Sequence, residues 1–314
     1  MSYEISYGKA DVKVYRTHAT PLTGIAPIPE SPFTGRDNRL FAAELEIVVR
    51  GEAFIAAYTR GDNRRVVATD TMKNFILQAA LNCEAATLEG WLHEIGRAFL
   101  LTYPQMERLT MRGRELPFPA ALVPDRQGFM LSERLFSRDR NDASHASLDL
   151  ERAAGGDAVE VTSLEAGREG LQLIKLTGSS FADFARDAHT TLPDRPDRPL
   201  YIWVDIDWRY TDPMRPLDPV HPGYVAGEQV ADLAASVFHD FVSLSIQHLV
   251  HEIGERMLAR WPQLAEVRFE AQNRLWDTAA VSEADPQVRV YCDPPPPYGR
   301  IGLVMRRGER ATQR

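Results

Sequence analysis

Tyr103-Pro104-Gln105-Met106-Glu107-Arg108-Leu109 and Trp261-Pro262-Gln263-Leu264-Ala265-Glu266-Val267 carry one pattern at two places in the chain. Each runs aromatic, Pro, Gln, apolar, two spacers, apolar, and the 158 positions from Tyr103 to Trp261 are half of the 314 residues. A helical stripe precedes each. Leu88, Leu92, Ile95 and Phe99 are spaced four, three and four apart on one face. Phe238, Val242, Ile246, Leu249, Ile253 and Met257 predict one longer helix. Proline then stops the helix in both places, because the residue before it is driven out of helical geometry. The matching order predicts an internal duplication, each half running strands, helix, strands. The expected fold is α+β, two units with antiparallel sheets and helices on one face, divided as 1–154 and 155–314.

Strand signals fill the rest. Val12 to His18 alternates loosely, and Leu40 to Tyr58 is rich in β-branched and aromatic residues, predicting one or two hairpin arms broken near Gly51 and Glu52. GDNRR (61–65) is a turn signal, followed by VVATD (66–70) and an apolar run to Ala80. Residues 107–150 predict strands around a polar loop at 137–145. Gly155-Gly156 and Gly167 bracket a strand at 159–163, with another at 172–178. LPDRPDRP (192–199) must be an extended loop, and YIWVDIDWRY (201–210) a half-buried strand. Low-complexity tracts are absent beyond Pro294 to Pro297.

Composition narrows the function. Asp and Glu number 44 against 36 Lys and Arg, a formal net charge of −8, which argues against a nucleic-acid binder because a phosphate backbone demands clustered cations. Two cysteines, Cys83 and Cys292, are too few for a disulfide framework and point to a reducing compartment. The polar N-terminus has no apolar secretory segment, and no apolar run approaches the roughly 18 residues of a membrane span. A cytoplasmic protein acting away from membranes is expected.

Familiar chemical motifs are missing: no P-loop, no G-x-G-x-x-G and no G-x-S-x-G occurs. His248, His251 and Glu252 give H-x-x-H-E, a poor match to the i, i+4 histidines of helical zinc sites, so solvent-facing histidines are expected and no metal site. Four polar clusters remain at the predicted ends of strands. Lys9 follows Tyr7-Gly8 just before the first expected strand; a buried lysine there could serve as a base, a surface lysine being the commoner case. Thr69 and Asp70 could cap a helix or leave its N–H groups free for an anion. Phe181 with a distal arginine could grip a planar anion by stacking and a forked hydrogen bond, the bland alternative being a core ring and a loop-stabilising arginine. Gln247 on the long helix and Asn273 in the strand after it offer paired donors and acceptors that suit an amide-rich heterocycle, or ordinary structural hydrogen bonds.

Taken in order, YGKADVKVYR (7–16), GDNRRVVATDTMKN (61–74), LIKLTGSSFADFARDAHTTLPDRPDR (173–198) and SIQHLV (245–250) resemble the urate oxidase (uricase) family. The resemblance spans most of the chain. It implies the tunnelling fold (T-fold), with two tandem repeats per subunit and four subunits forming a tetrameric barrel. It implies oxidation of urate by O2 and water to 5-hydroxyisourate and hydrogen peroxide, with no metal and no organic cofactor. Lys9 matches the family's catalytic lysine and Thr69 its catalytic threonine, which together draw a proton from urate. Thr69 and Asp70 would face the imidazole side through backbone N–H groups. Phe181 matches the stacking phenylalanine, Arg198 the arginine clamp and Gln247 the glutamine on the opposite edge, with the Ile246 backbone nearby. Asn273 matches the asparagine at the oxygen and water position. The resemblance puts Lys9, Thr69 and Asp70 on one chain and the other residues of each site on its neighbour.

One departure concerns the proton route. Many uricases carry Asn-Lys-His where this chain reads Asn273-Arg274-Leu275, so Leu275 stands in the histidine's place. A purine-binding scaffold without turnover is the competing expectation, although a binder has no use for Lys9 and Thr69. A pterin-handling relative is disfavoured by the H-x-x-H-E spacing. The C-terminal ATQR is not a peroxisomal address, which points to a bacterial cytoplasm.

Overall fold

The computed structural model describes residues 2–138, 140–153, 158–217, 223–293 and 296–308. The chain opens with β1 (Ser6–Thr17) and β2 (Leu40–Arg50), then α1 (Ile55–Arg60), α2 (Thr69–Asn82) and α3 (Leu88–Thr102). There follow β3 (Arg108–Glu115), a hairpin of β4 (Ala120–Asp125) and β5 (Gly128–Phe136), and β6 (Ala143–Arg152). The second half repeats this order. It has β7 (Val159–Lys175), β8 (Leu200–Tyr210), α4 (Gly227–Asp240), α5 (Ile246–Arg260) and β9 (Leu264–Arg274). A hairpin of β10 (Asp277–Val281) and β11 (Arg289–Cys292) comes next, and β12 (Gly299–Arg306) closes it. One antiparallel eight-stranded sheet results, in the order β1-β2-β3-β6-β7-β8-β9-β12. Among the described residues, no helix is long and apolar enough to cross a membrane.

The repeat reaches atomic detail. α3 and α5 begin alike, with Thr87 Oγ1 accepting the Gly90 N–H at 3.1 Å and Ser245 Oγ accepting the His248 N–H at 3.0 Å. They also end alike: Met106 N–H donates to Tyr103 O at 2.9 Å, and Leu264 N–H to Trp261 O at 3.0 Å. Gly96 and Gly254 occupy equivalent places in the two helices. A Cβ on Gly96 would lie 2.4 Å from Leu150, and one on Gly254 2.4 Å from Met305. The missing side chains let both helices settle directly onto the sheet. The predicted stripe Leu88, Leu92, Ile95, Phe99 is wholly buried, as are Leu249, Ile253 and Met257. Each such side chain stabilises by about 1.5–3 kcal/mol on leaving water.

Several elements differ from the sequence reading. The arm predicted to run to Tyr58 stops at Arg50. Gly51, with φ 152°, turns the chain, and the alanine-rich residues after it are helical. The long second helix is two: Phe241 is extended, Val242 and Leu244 are exposed, and the Ser245 cap starts α5. Residues 159–175 form one strand through Gly167, bent where Gly170 has φ 72° and the register shifts. β1 starts six residues earlier than expected, because a bulge at Asp11 (φ 57°) breaks its alternation. The expected 154/155 boundary, Gly155-Gly156, the ATQR end and part of the Pro294–Pro297 run lie outside the described residues.

Residues 18–39 strap the first half onto the second. Ser31 Oγ donates to Asp232 at 2.5 Å, and Gln229 Nε2 donates to Ala26 O and Phe33 O at 2.8 and 2.9 Å. Arg36 bridges Glu115 at 2.5 Å and Glu228 at 3.1 Å. Beside this cluster Glu89 is buried, and burial, with the Glu115 and Glu228 charges, pushes its carboxyl up to about 8 from 4.5. The folded state therefore holds a proton that the unfolded chain releases. The associated stability is full at low pH and is lost as pH rises from about 4.5 to about 8. Glu89→Gln should flatten the dependence of Tm on pH across that window, measured by thermal unfolding in a buffer series.

Candidate active site

Beyond β7 the chain doubles back as a loop pinned by its own backbone. Arg198 N–H donates to Ser179 O at 2.9 Å, and Phe181 and Arg195 exchange hydrogen bonds of 2.8 and 2.9 Å. Ser179 and Ser243, both buried, tie this loop to the start of α5: Ser180 N–H reaches Ser243 O at 2.7 Å and the two hydroxyls meet at 3.2 Å. Asp197 accepts the Thr177 hydroxyl at 2.6 Å and the Gly178 N–H at 2.7 Å, bonds that hold its carboxyl below the usual carboxylate range. These contacts tie the loop that carries Phe181 and Arg198 to the residues just before α5, a helix that opens with the buried Ile246 and the exposed Gln247.

Arg198 is 7 % exposed, its guanidinium carbon 5.5 Å from the Phe181 ring centroid. Its Nε has no hydrogen-bond partner, and among the described residues no carboxylate pairs with it. Burial first, and the Arg195 charge second, draw its pKa below the ordinary guanidinium value. A buried, unpaired cation is costly and calls for an anion from outside. Asn273, on β9, pairs with Ile202 just beyond Arg198, and its Oδ1 is likewise buried without a partner. A guanidinium fork, an aromatic face, an orphan amide oxygen and an open carboxamide suit a flat anion.

The other predicted residues gather elsewhere. Lys9 is inside β1, opposite Ile47 on β2, and half-buried. Thr69 and Asp70 are the first residues of α2, both exposed. Thr69 is not the cap. Ala68 holds that place and has no side chain to offer, so the first N–H groups of α2 are left without a side-chain cap at the positive end of the helix dipole. Tyr7 OH accepts the Val67 N–H at 3.0 Å, which draws this helix start onto β1 beside Lys9. Asp70 binds Lys73 at 2.6 Å and Asn74 at 3.1 Å; Lys73 chiefly, with a smaller contribution from the Lys9 charge, lowers its pKa. Gly8 is needed between Tyr7 and Lys9, since a Cβ there would lie 1.9 Å from Ile47 O. Gly8→Ala should peel β1 from β2, costing about 1–3 kcal/mol and lowering turnover through Lys9, as calorimetry and steady-state rates would register.

Within one protomer the two groups do not meet. β1 and β9 are six strand steps apart in the sheet, about 29 Å at the usual spacing. A cavity of about 280 Å³ on the sheet, lined by Arg50, Arg112 and Asp149 among others, shares no residue with either group. On α5, His248 packs edge-on against Phe241 and lies 3.8 Å from Glu252. His251, Glu252 and Glu255 offer ligand atoms within 4.8 Å of one another at the surface, an arrangement common without an ion.

Tandem α+β repeats on one continuous antiparallel sheet define a tunnelling-fold protein. The Uricase family profile matches residues 5–130 and 164–302. The chain is 45% identical over 311 residues to a uricase of Haloferax volcanii, covering 98% of this chain and all of that one. It is 42% identical over 293 residues to the uric acid degradation bifunctional protein of Bacillus sp. TB-90, covering 93% of this chain. It spans only 58% of that relative's length, and 60% of the corresponding protein of Bacillus subtilis. The crystal structure of Bacillus sp. TB-90 urate oxidase superimposes with a TM-score of 0.92 at 41% identity, covering 96% of this chain and 100% of that one. The chain belongs to the uricase family.

Proposed function

We propose that this chain oxidises urate with O2 and water to 5-hydroxyisourate and hydrogen peroxide, as a homotetramer in the cytoplasm. The observation that carries the reading is the buried Arg198, with no carboxylate paired to it among the described residues, beside the Phe181 ring. Urate is a flat anion of the right chemistry to complete it. Phe181 stacks on the purine, the Arg198 fork takes a carbonyl and a ring nitrogen, and Gln247 with the Ile246 backbone pairs with the opposite edge. Asn273 stands over the ring where oxygen and water react.

Lys9 acts through the Thr69 hydroxyl as the base that removes a proton from urate, and the free N–H groups of Thr69 and Asp70 hold the imidazole side. The dianion so formed is electron-rich enough to give an electron to O2. A second electron follows, the reduced O2 takes up two protons and leaves as hydrogen peroxide, and water adds to the two-electron-oxidised purine to give 5-hydroxyisourate. With Leu275 in place of a histidine, the proton of the hydration step moves through water held by Thr69 and Asn273. The distance between β1 and β9 supports a site completed by a second copy, one protomer giving Lys9, Thr69 and Asp70 and its partner the rest. The two repeats are divided as 1–154 and 155–314. The unpaired Cys83 and Cys292 suit a reducing cytoplasm.

The test is loss of the urate absorbance band with release of peroxide by the purified protein in a strong chelator. Leu275 favours one alternative, a urate binder without turnover; urate binding with no peroxide would establish it and overturn the enzyme.

A further inference from the structure

Phe181 does not stand alone on its loop. Its ring lies 5.0 Å, centroid to centroid, from that of Phe184, with the planes only 12° apart. The Arg186 guanidinium sits 4.6 Å over the far ring. Arg186 is held in turn by Asp194 at 2.8 Å, and Asp194 also accepts the Asp183 N–H at 3.2 Å. Asp183 has φ 58°, a left-handed turn between the two phenylalanines that brings rings three residues apart face to face outside any helix. The Phe181–Arg195 backbone pair closes the loop beneath them.

We propose that Phe184, backed by Arg186, is the positioning residue that sets the plane of the Phe181 ring and determines which face of it a purine stacks on. The inference rests on the reading that Phe181 is the stacking platform. A phenylalanine on a half-exposed loop has no core to hold its side-chain torsions. An offset-stacked second ring supplies that restraint and covers one face, leaving the other to the ligand. The outer cation strengthens the stack from its exposed side. Because the platform acts equally on bound substrate and transition state, its misalignment weakens binding without slowing the bound complex.

The experiment compares Phe184→Leu, Phe184→Tyr, Phe181→Leu and Phe181→Leu/Phe184→Leu in the full assembled protein. Kd is measured for xanthine, an oxypurine that serves as an unreactive probe, and KM and kcat for urate. Phe184→Leu should raise both Kd and KM about three- to tenfold, the range of one aromatic pair, with kcat within about twofold. Phe184→Tyr should restore parental binding. In the Phe181→Leu background the Phe184 change should have no further effect, a result that a general loosening of the loop would not give. Parental Kd in Phe184→Leu, or an undiminished effect in that background, overturns the proposal. Unchanged Kd in Phe181→Leu itself shows instead that the stacking reading has failed. Should Phe184→Leu not fold, Arg186→Leu removes the outer cation from an exposed position, and must raise Kd about twofold or the proposal falls.

Discussion

Arg198→Ala should bind urate about 10²–10⁴-fold more weakly while keeping or raising its Tm. The two effects have one cause. The fork offers two charge-assisted hydrogen bonds, each contributing about 1.5–3 kcal/mol, to an anion that has no other buried cation beside it. Arg198 is 7 % exposed, with an unpartnered Nε and no carboxylate paired with it among the described residues. Removing it relieves a buried charge and strands no counter-ion, unlike the breaking of a salt bridge. Arg198→Lys should recover little, because an ammonium cannot reproduce the planar fork. Isothermal titration with urate under anaerobic conditions, beside a thermal melt, reads both quantities. A Tm several degrees lower with unchanged affinity would make Arg198 a structural residue and remove it from the site.

Lys9→Met should lower kcat by about 10²–10⁴-fold, the usual contribution of a positioned base, with the Kd for urate nearly unchanged. Its position on β1, one edge of the sheet, six strand steps from Asn273, makes a stronger test available. On the proposed reading, Lys9→Met and Arg198→Ala damage opposite halves of a site shared by two protomers. Hybrids formed by unfolding and refolding an equal mixture would contain intact sites, and activity should return to about a quarter of the parent's by random pairing across a two-fold interface. Two inactive parents that stay inactive when mixed would mean that each site is built within one chain.

Much of this was legible in the chain before any coordinates. The two Pro-Gln segments and the Leu88-to-Phe99 stripe are local signals, and local signals survive translation into structure. The differences share a cause as well. The Asp11 bulge spoils the period of two in β1, so the alternation begins only at Val12. Phe238 and Ile246 keep helical spacing across a break made by Ser245 capping, so α4 and α5 carry one continuous stripe. Thr69 looked like a cap because capping residue types follow an apolar run, whereas Ala68 takes the position and leaves the N–H groups without a side-chain cap. Family likeness pointed to Phe181 and Arg198. It did not reveal the Ser179–Ser243 tie, the Asp197 bonds or the Phe184–Arg186 stack, each of which depends on how a loop folds back upon itself.

By itself the sequence determined the duplication, the α+β class and the family, because periodicity and residue chemistry are properties of short stretches. Only the tertiary structure decided that Arg198 is buried with no carboxylate paired to it among the described residues, and that Lys9 lies at the far edge of the same sheet. Burial and distance arise from strand order and loop closure, which bring together or separate residues that no spacing along the chain relates.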